Sequence, residues 1–163
     1  MADAVNNPLS IVVLISGRGS NLQSVIDGVA AGDLPVEIRA VISNRPGVQG
    51  LQRASQAGIA TQVVDHRHYP DRAAFDKALQ VAIDDYRPEL VVLAGFMRIL
   101  TPALVHHYLG RMINIHPSLL PEFPGLNTHQ RVLDAGRSVT GATIHFVTEE
   151  MDGGPAILQA RVP

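Results

Sequence analysis

The chain has no cysteine among its 163 residues. Disulfides and thiolate metal sites are therefore excluded, and a cytoplasmic setting is expected. It has no basic excess either. The formal net charge is -2, so the overall charge draws the chain neither to nucleic acid nor to an anionic membrane. No apolar run approaches the roughly 18 residues of a membrane-spanning helix. Residues 1–10 lack the basic segment and apolar stretch of a signal peptide and read as a flexible leader ended by Pro8. No repeat, low-complexity tract or second domain is visible. No HxxxH pattern is present, and no metal is expected.

Apolar residues make up 46% of the chain, enough for one compact domain over residues 11–163. Short apolar runs rich in β-branched residues predict strands at 11–15, 36–43, 60–64, 90–95 and 112–115. Alternation predicts two more at 140–148 and 156–162. Helices are expected at 21–31, 48–57, between Pro70 and Pro88, at 102–109 and at 128–135. Strand and helix alternate, which argues for an α/β fold with a mostly parallel sheet. In such sheets ligands bind at the carboxyl ends of the strands.

The first strand runs into Ser16-Gly17-Arg18-Gly19-Ser20-Asn21-Leu22 and then a helix. Two glycines allow a tight turn, and a helix start offers free N–H groups to an anion. Two better-known readings fail. A dinucleotide fingerprint needs a third glycine where Leu22 stands, and an acid where Ser43 and Asn44 stand. A Walker loop needs a lysine that is missing. Two readings stay open: a phosphate cradle, or a plain strand–helix turn with Ser20 as N-cap.

The fifth strand leads into Asn114-Ile115-His116-Pro117-Ser118-Leu119-Leu120-Pro121. In an extended stretch Asn114 and His116 point the same way. An amide donor and an imidazole are what acyl transfer needs, one for the oxyanion and one for proton movement. A polar strand end with a satisfied histidine is the plainer alternative. Further on, Met151-Asp152-Gly153-Gly154-Pro155 contains a favoured turn pair. Asp152 is also a carboxylate on a tight backbone, able to orient and charge His116. His145 is either structural or a secondary polar partner. His66, His68, His106 and His107 read as surface residues.

Four segments together resemble the folate-dependent formyltransferase family: Val-Leu-Ile-Ser-Gly-Arg-Gly-Ser-Asn-Leu at 13–22, Val-Leu-Ala-Gly-Phe-Met-Arg-Ile-Leu at 92–100, Asn-Ile-His-Pro-Ser-Leu-Leu-Pro at 114–121 and Met-Asp-Gly-Gly-Pro at 151–155. The likeness runs in register from Ile11 to Pro163. The resemblance implies a Rossmann-like formyltransferase fold, with helices on both faces of the sheet. It implies 10-formyltetrahydrofolate as cosubstrate, no metal, and glycinamide ribonucleotide as the acceptor favoured by the first loop. Gly19, Ser20 and Asn21 would then hold the phosphate. Arg72, Met97, Arg98, Ile99, Leu100 and Asn114 would contact the folate. Asn114, His116 and Asp152 would form the catalytic set, with His116 the proton donor.

The partners so implied are small molecules, with no nucleic acid and no membrane, and the protein is expected to be a monomer or homodimer. The chain stops at Arg161-Val162-Pro163, where family members continue. A C-terminal part of the ribonucleotide site is therefore expected to be missing, and the last strand to be uncovered. Two other readings remain: a formyltransferase acting on another amine, and a nucleotide-binding module without chemistry.

Overall fold

In the computed structural model, which describes residues 7–162, one seven-stranded sheet runs in the order β3-β2-β1-β4-β5-β6-β7. The strands are β1 Leu9–Ile15, β2 Val36–Ser43, β3 Thr61–Val63, β4 Leu90–Leu93, β5 Met112–His116, β6 Thr140–Phe146 and β7 Ala156–Val162. The first five are parallel; β6 and β7 are antiparallel additions at one side. The helices are α1 Ser20–Ala30, α2 Gln49–Gln56, α3 Arg72–Asp84, α4 Pro102–His107 and α5 Thr128–Asp134. A short 3-10 turn at His66–His68, not expected from the sequence, follows β3.

The apolar run of β1 explains the layering. Val12 and Leu14 face one cluster, which contains Phe75, Leu79 and Ile83 of α3 and Leu104 of α4. Ile11, Val13 and Ile15 face the other, with Leu22 of α1 and Ala54 of α2. Side chains alternate along a strand, so a strand covered on both faces is apolar at every position. Fully burying each such side chain is worth about 1.5–3 kcal/mol. β6 instead buries alternate residues only, and β7 is exposed throughout.

Two boundaries differ from expectation in an instructive way. Residues 1–6 of the expected leader lie outside the described residues, and β1 begins at Leu9. Its start is held by Ser10, whose backbone N and Oγ donate to Glu89 Oε2 at 2.9 and 3.1 Å. Ser20 is not the N-cap of α1. Gly19 takes that position, with φ of 76°, and Ser20 is the first helical residue.

The chain leaves β1 toward β2 on one side and later returns to β4 on the other. In open α/β sheets ligands bind at such a reversal, which here is the crevice between the carboxyl ends of β1 and β4.

Candidate active site

Pairing across the sheet sets the site's frame. Leu14 of β1 pairs with Leu93, Leu93 with Asn114, and Asn114 with His145. Neighbouring strands lie about 4.8 Å apart, so the backbone of Asn114 is roughly 10 Å from that of Leu14. The first loop and the Asn–His segment thus open on the same edge of the sheet.

The first loop borders a basin lined by Ser16 to Asn21, Arg45, Ala94, Gly95 and Met97. Its shape depends on a contact that the sequence did not suggest. Gly50, in the first turn of α2, donates its N–H to Gly17 O at 3.0 Å. A Cβ on Gly19 would sit 2.7 Å from Gly50 Cα, and one on Gly50 would sit 3.0 Å from Gly17 O. Two glycines face to face let the loop lie against α2. Ser16 is buried and bonded on both sides, its Oγ donating to Asn44 Oδ1 at 2.5 Å and accepting from Met97 N at 2.8 Å.

A second basin adjoins the first and is lined by Asn44, Arg45, Pro46, His66, Arg67, Met97 and Arg98. His66 is not the bare surface residue expected from its polar surroundings. It is half-buried, with Nδ1 3.1 Å from both Nδ2 and O of Asn44. Hydrogen bonding from Arg67 holds the carboxyl of the buried Asp65 well below the usual carboxylate range, against the opposing effect of burial. His106 and His107 lie against Glu149 and Asp84 but remain largely exposed.

The polar row at β5 and β6 is tightly organised. His116 is buried, and its Nε2 donates to Phe123 O at 2.8 Å. His145 is buried too, and its Nδ1 donates to Phe146 O at 2.9 Å. These carbonyls place the ring protons away from Asp152. The remaining nitrogens, His116 Nδ1 and His145 Nε2, each lie 3.6 Å from Asp152 Oδ1. That is too long for a hydrogen bond but within ion-pair range once either ring carries a second proton. Asn114 Nδ2 donates to His145 Nε2 at 3.3 Å. Asp152 Oδ2 accepts from Gly125 N at 2.8 Å, at a residue with φ of 54°. Asp tolerates this left-handed geometry better than most residues do.

Other buried groups hold the segment after His116. Thr143 Oγ1 donates to Ser118 O at 2.7 Å and accepts from Leu120 N at 3.0 Å. Ser118 Oγ donates to Glu122 O at 2.6 Å. The structure therefore brings Asn114, His116 and Asp152 together and adds His145 as a full neighbour. The alternation of residues 140–148 could have signalled that Thr143 and His145 share a face. Met97 and Ile99 are exposed, whereas Leu100 packs against the core. Arg72 opens α3, is exposed, and borders neither basin.

Residues 9–163 match the family described as formyl transferase. The phosphoribosylglycinamide formyltransferase of Escherichia coli is 55% identical over 155 residues, spanning 95% of this chain and 73% of that protein. The trifunctional purine biosynthetic protein adenosine-3 of Bos taurus is 51% identical over 153 residues, but the chain spans only 15% of its length. Among solved structures, the phosphoribosylglycinamide formyltransferase of Coxiella burnetii superposes with a TM-score of 0.89 at 57% identity, covering 95% of this chain and 72% of that one. Glycinamide ribonucleotide transformylase 1 of Symbiobacterium toebii gives a TM-score of 0.92 at 46% identity, with 96% and 74% covered.

Proposed function

The chain belongs to the formyl transferase family, and on that premise we propose that it moves a formyl group from 10-formyltetrahydrofolate to the amine of glycinamide ribonucleotide, in purine biosynthesis. Residues 11–163 act in this reading as one formyltransferase domain. The observation that carries it is the cluster of Asn114, His116, His145 and Asp152 at one strand end, on the same edge of the sheet as the glycine-rich first loop and its basin.

The phosphate lies against the backbone N–H groups of Gly19, Ser20 and Asn21 and against the Ser20 hydroxyl and the Asn21 amide. Arg72, Asn114 and the stretch from Met97 through Arg98 and Ile99 to Leu100 hold the folate. The amine attacks the formyl carbon and forms a C–N bond, and the carbonyl oxygen becomes an oxyanion. Asn114 Nδ2 donates to that oxygen, leaving its present partner His145. Asp152 receives the proton lost by the amine. His116, held through Nε2 by Phe123 O, takes that proton from Asp152 at its Nδ1 and delivers it toward N10. The bond from carbon to N10 then breaks, N10 takes a proton, and tetrahydrofolate leaves.

Incubation with 10-formyltetrahydrofolate and glycinamide ribonucleotide should release tetrahydrofolate. Faster formylation of an unphosphorylated amine would overturn the substrate assignment. A protein that binds both ligands but releases no tetrahydrofolate would overturn the enzymatic reading.

A further inference from the structure

Arg45 and Met97 line both basins. The backbone of Arg45 is clamped. Ser43 Oγ donates to Arg45 O at 2.7 Å and accepts from Arg45 N at 3.0 Å. The preceding Asn44 is buried and fixed by Ser16 and His66. The guanidinium itself makes no hydrogen bond or ion pair with any described residue, and the side chain is exposed. Arg53 contrasts with it, since its Nε is committed to Arg18 O at 2.8 Å and its Nη1 to Gln23. The first turn of α1 carries no acidic side chain that would compete for a cation.

A fixed stem with an uncommitted planar cation, lining the same basin as the start of α1, suits a tetrahedral dianion. Backbone N–H groups accept many small anions. A guanidinium adds a fork that matches two phosphate oxygens and favours the doubly charged form.

We propose that Arg45 is a substrate-positioning residue, whose guanidinium grips the phosphate of the acceptor from the side opposite the first loop. The inference rests on the reading that this loop holds the acceptor's phosphate. It assigns the selectivity for a phosphorylated amine to a residue outside the loop.

The test uses the full chain, with steady-state kinetics and calorimetric titration of inorganic phosphate. Arg45→Gln should raise the KM for the ribonucleotide and the Kd for phosphate about ten- to hundredfold, the range for losing a charge-assisted hydrogen bond. kcat and the donor KM should stay within about twofold. Arg45→Lys should recover part of the loss, since a point charge keeps the attraction without the fork. Added salt should weaken phosphate binding more in the parent than in Arg45→Gln. Ser20→Ala with Asn21→Ala serves as the reference. If that pair weakens phosphate binding and Arg45→Gln does not, the inference falls and the loop reading stands. If neither variant weakens it, both fall. A rise confined to the donor KM would move Arg45 to the second basin and overturn the inference.

Discussion

Asn114 sits in the middle of the polar row, between Leu93 of the parallel sheet and His145 of the antiparallel extension. Its amide is the one donor there with a swappable partner, because His145 can keep its bond to Phe146 O when Asn114 turns away. Asn114→Ala should lower kcat by about 10²–10³-fold, the usual loss for one oxyanion donor. Donor affinity should change far less, and a variant with near-normal kcat would sink the role. His116 and Asp152 face each other across 3.6 Å and should act as a unit. Combining His116→Ala with Asp152→Asn should cost less than the product of the single losses. Single-turnover rates for the four proteins decide it, and multiplicative losses would separate the two residues. Far from the site, Glu89 tests a different kind of contact. Hydrogen bonds from Ser10 hold its carboxyl below the ordinary value of 4.5, against the smaller effect of burial. A carboxylate with a depressed folded pKa stabilises above its unfolded pKa and loses that contribution as pH falls through the folded value. Glu89→Gln should therefore lower stability at neutral pH and flatten the decline below about pH 4.5, read from urea midpoints across pH. An unchanged acid slope would show that the contact does not survive in solution.

At the scale of elements, the first loop takes its shape from α2 as much as from its own glycines. Gly50 is buried against Ile15 and Gly17, and its neighbour Gly19 requires a positive φ. Gly50→Ala should cost about 1–3 kcal/mol, the range for overpacking a close contact. It should also weaken phosphate binding, because the added methyl pushes on the Gly17 carbonyl and so on the loop. Urea denaturation and a phosphate titration on one sample would report both. A loss of stability with unchanged phosphate binding would uncouple α2 from the site. The segment after His116 follows the same logic. Its prolines deny it regular hydrogen bonding, so the side chains of Ser118 and Thr143 supply the missing partners.

Over the whole molecule, a small net negative charge hides a local excess of cations. Arg18, Arg45, Arg67 and Arg98 all border the two adjoining basins, and only Arg67 has an acidic partner among the described residues. The opposite side of the sheet ends in β7, where Leu158, Ala160 and Val162 share one face and all are exposed. An exposed apolar edge strand favours pairing with another chain. This polypeptide should therefore sediment as a species that grows with concentration, and Leu158→Lys should shift it toward monomer. A concentration-independent monomer in the parent would remove the argument. Among the described residues, no helix is long and apolar enough to cross a membrane.

Local pattern carried much of this protein by itself. Continuous β-branched runs between turn signals placed β1, β2, β4 and β5, and alternation placed β6, because one or two covered faces leave different marks on the chain; alternation placed β7 as well, although neither of its faces is covered. The helices came from apolar spacing, and their errors of one or two residues lie at ends where capping, not burial, decides. The Ser20 cap went to Gly19 because the turn needed a left-handed residue there. Asn114, His116, Asp152 and the first loop were legible because short motifs keep their chemistry next to a strand end. Tertiary structure alone decided what meets them. His145 reaches Asn114 only because β6 runs antiparallel to β5, and Gly50 reaches Gly17 only because α2 packs beside the first loop. His66 joins Asn44 through a 3-10 turn with no apolar period to betray it. Each of these contacts links residues more than 20 positions apart. Spacing along a chain records which side chains share an element, but which elements become neighbours depends on how the whole sheet is ordered.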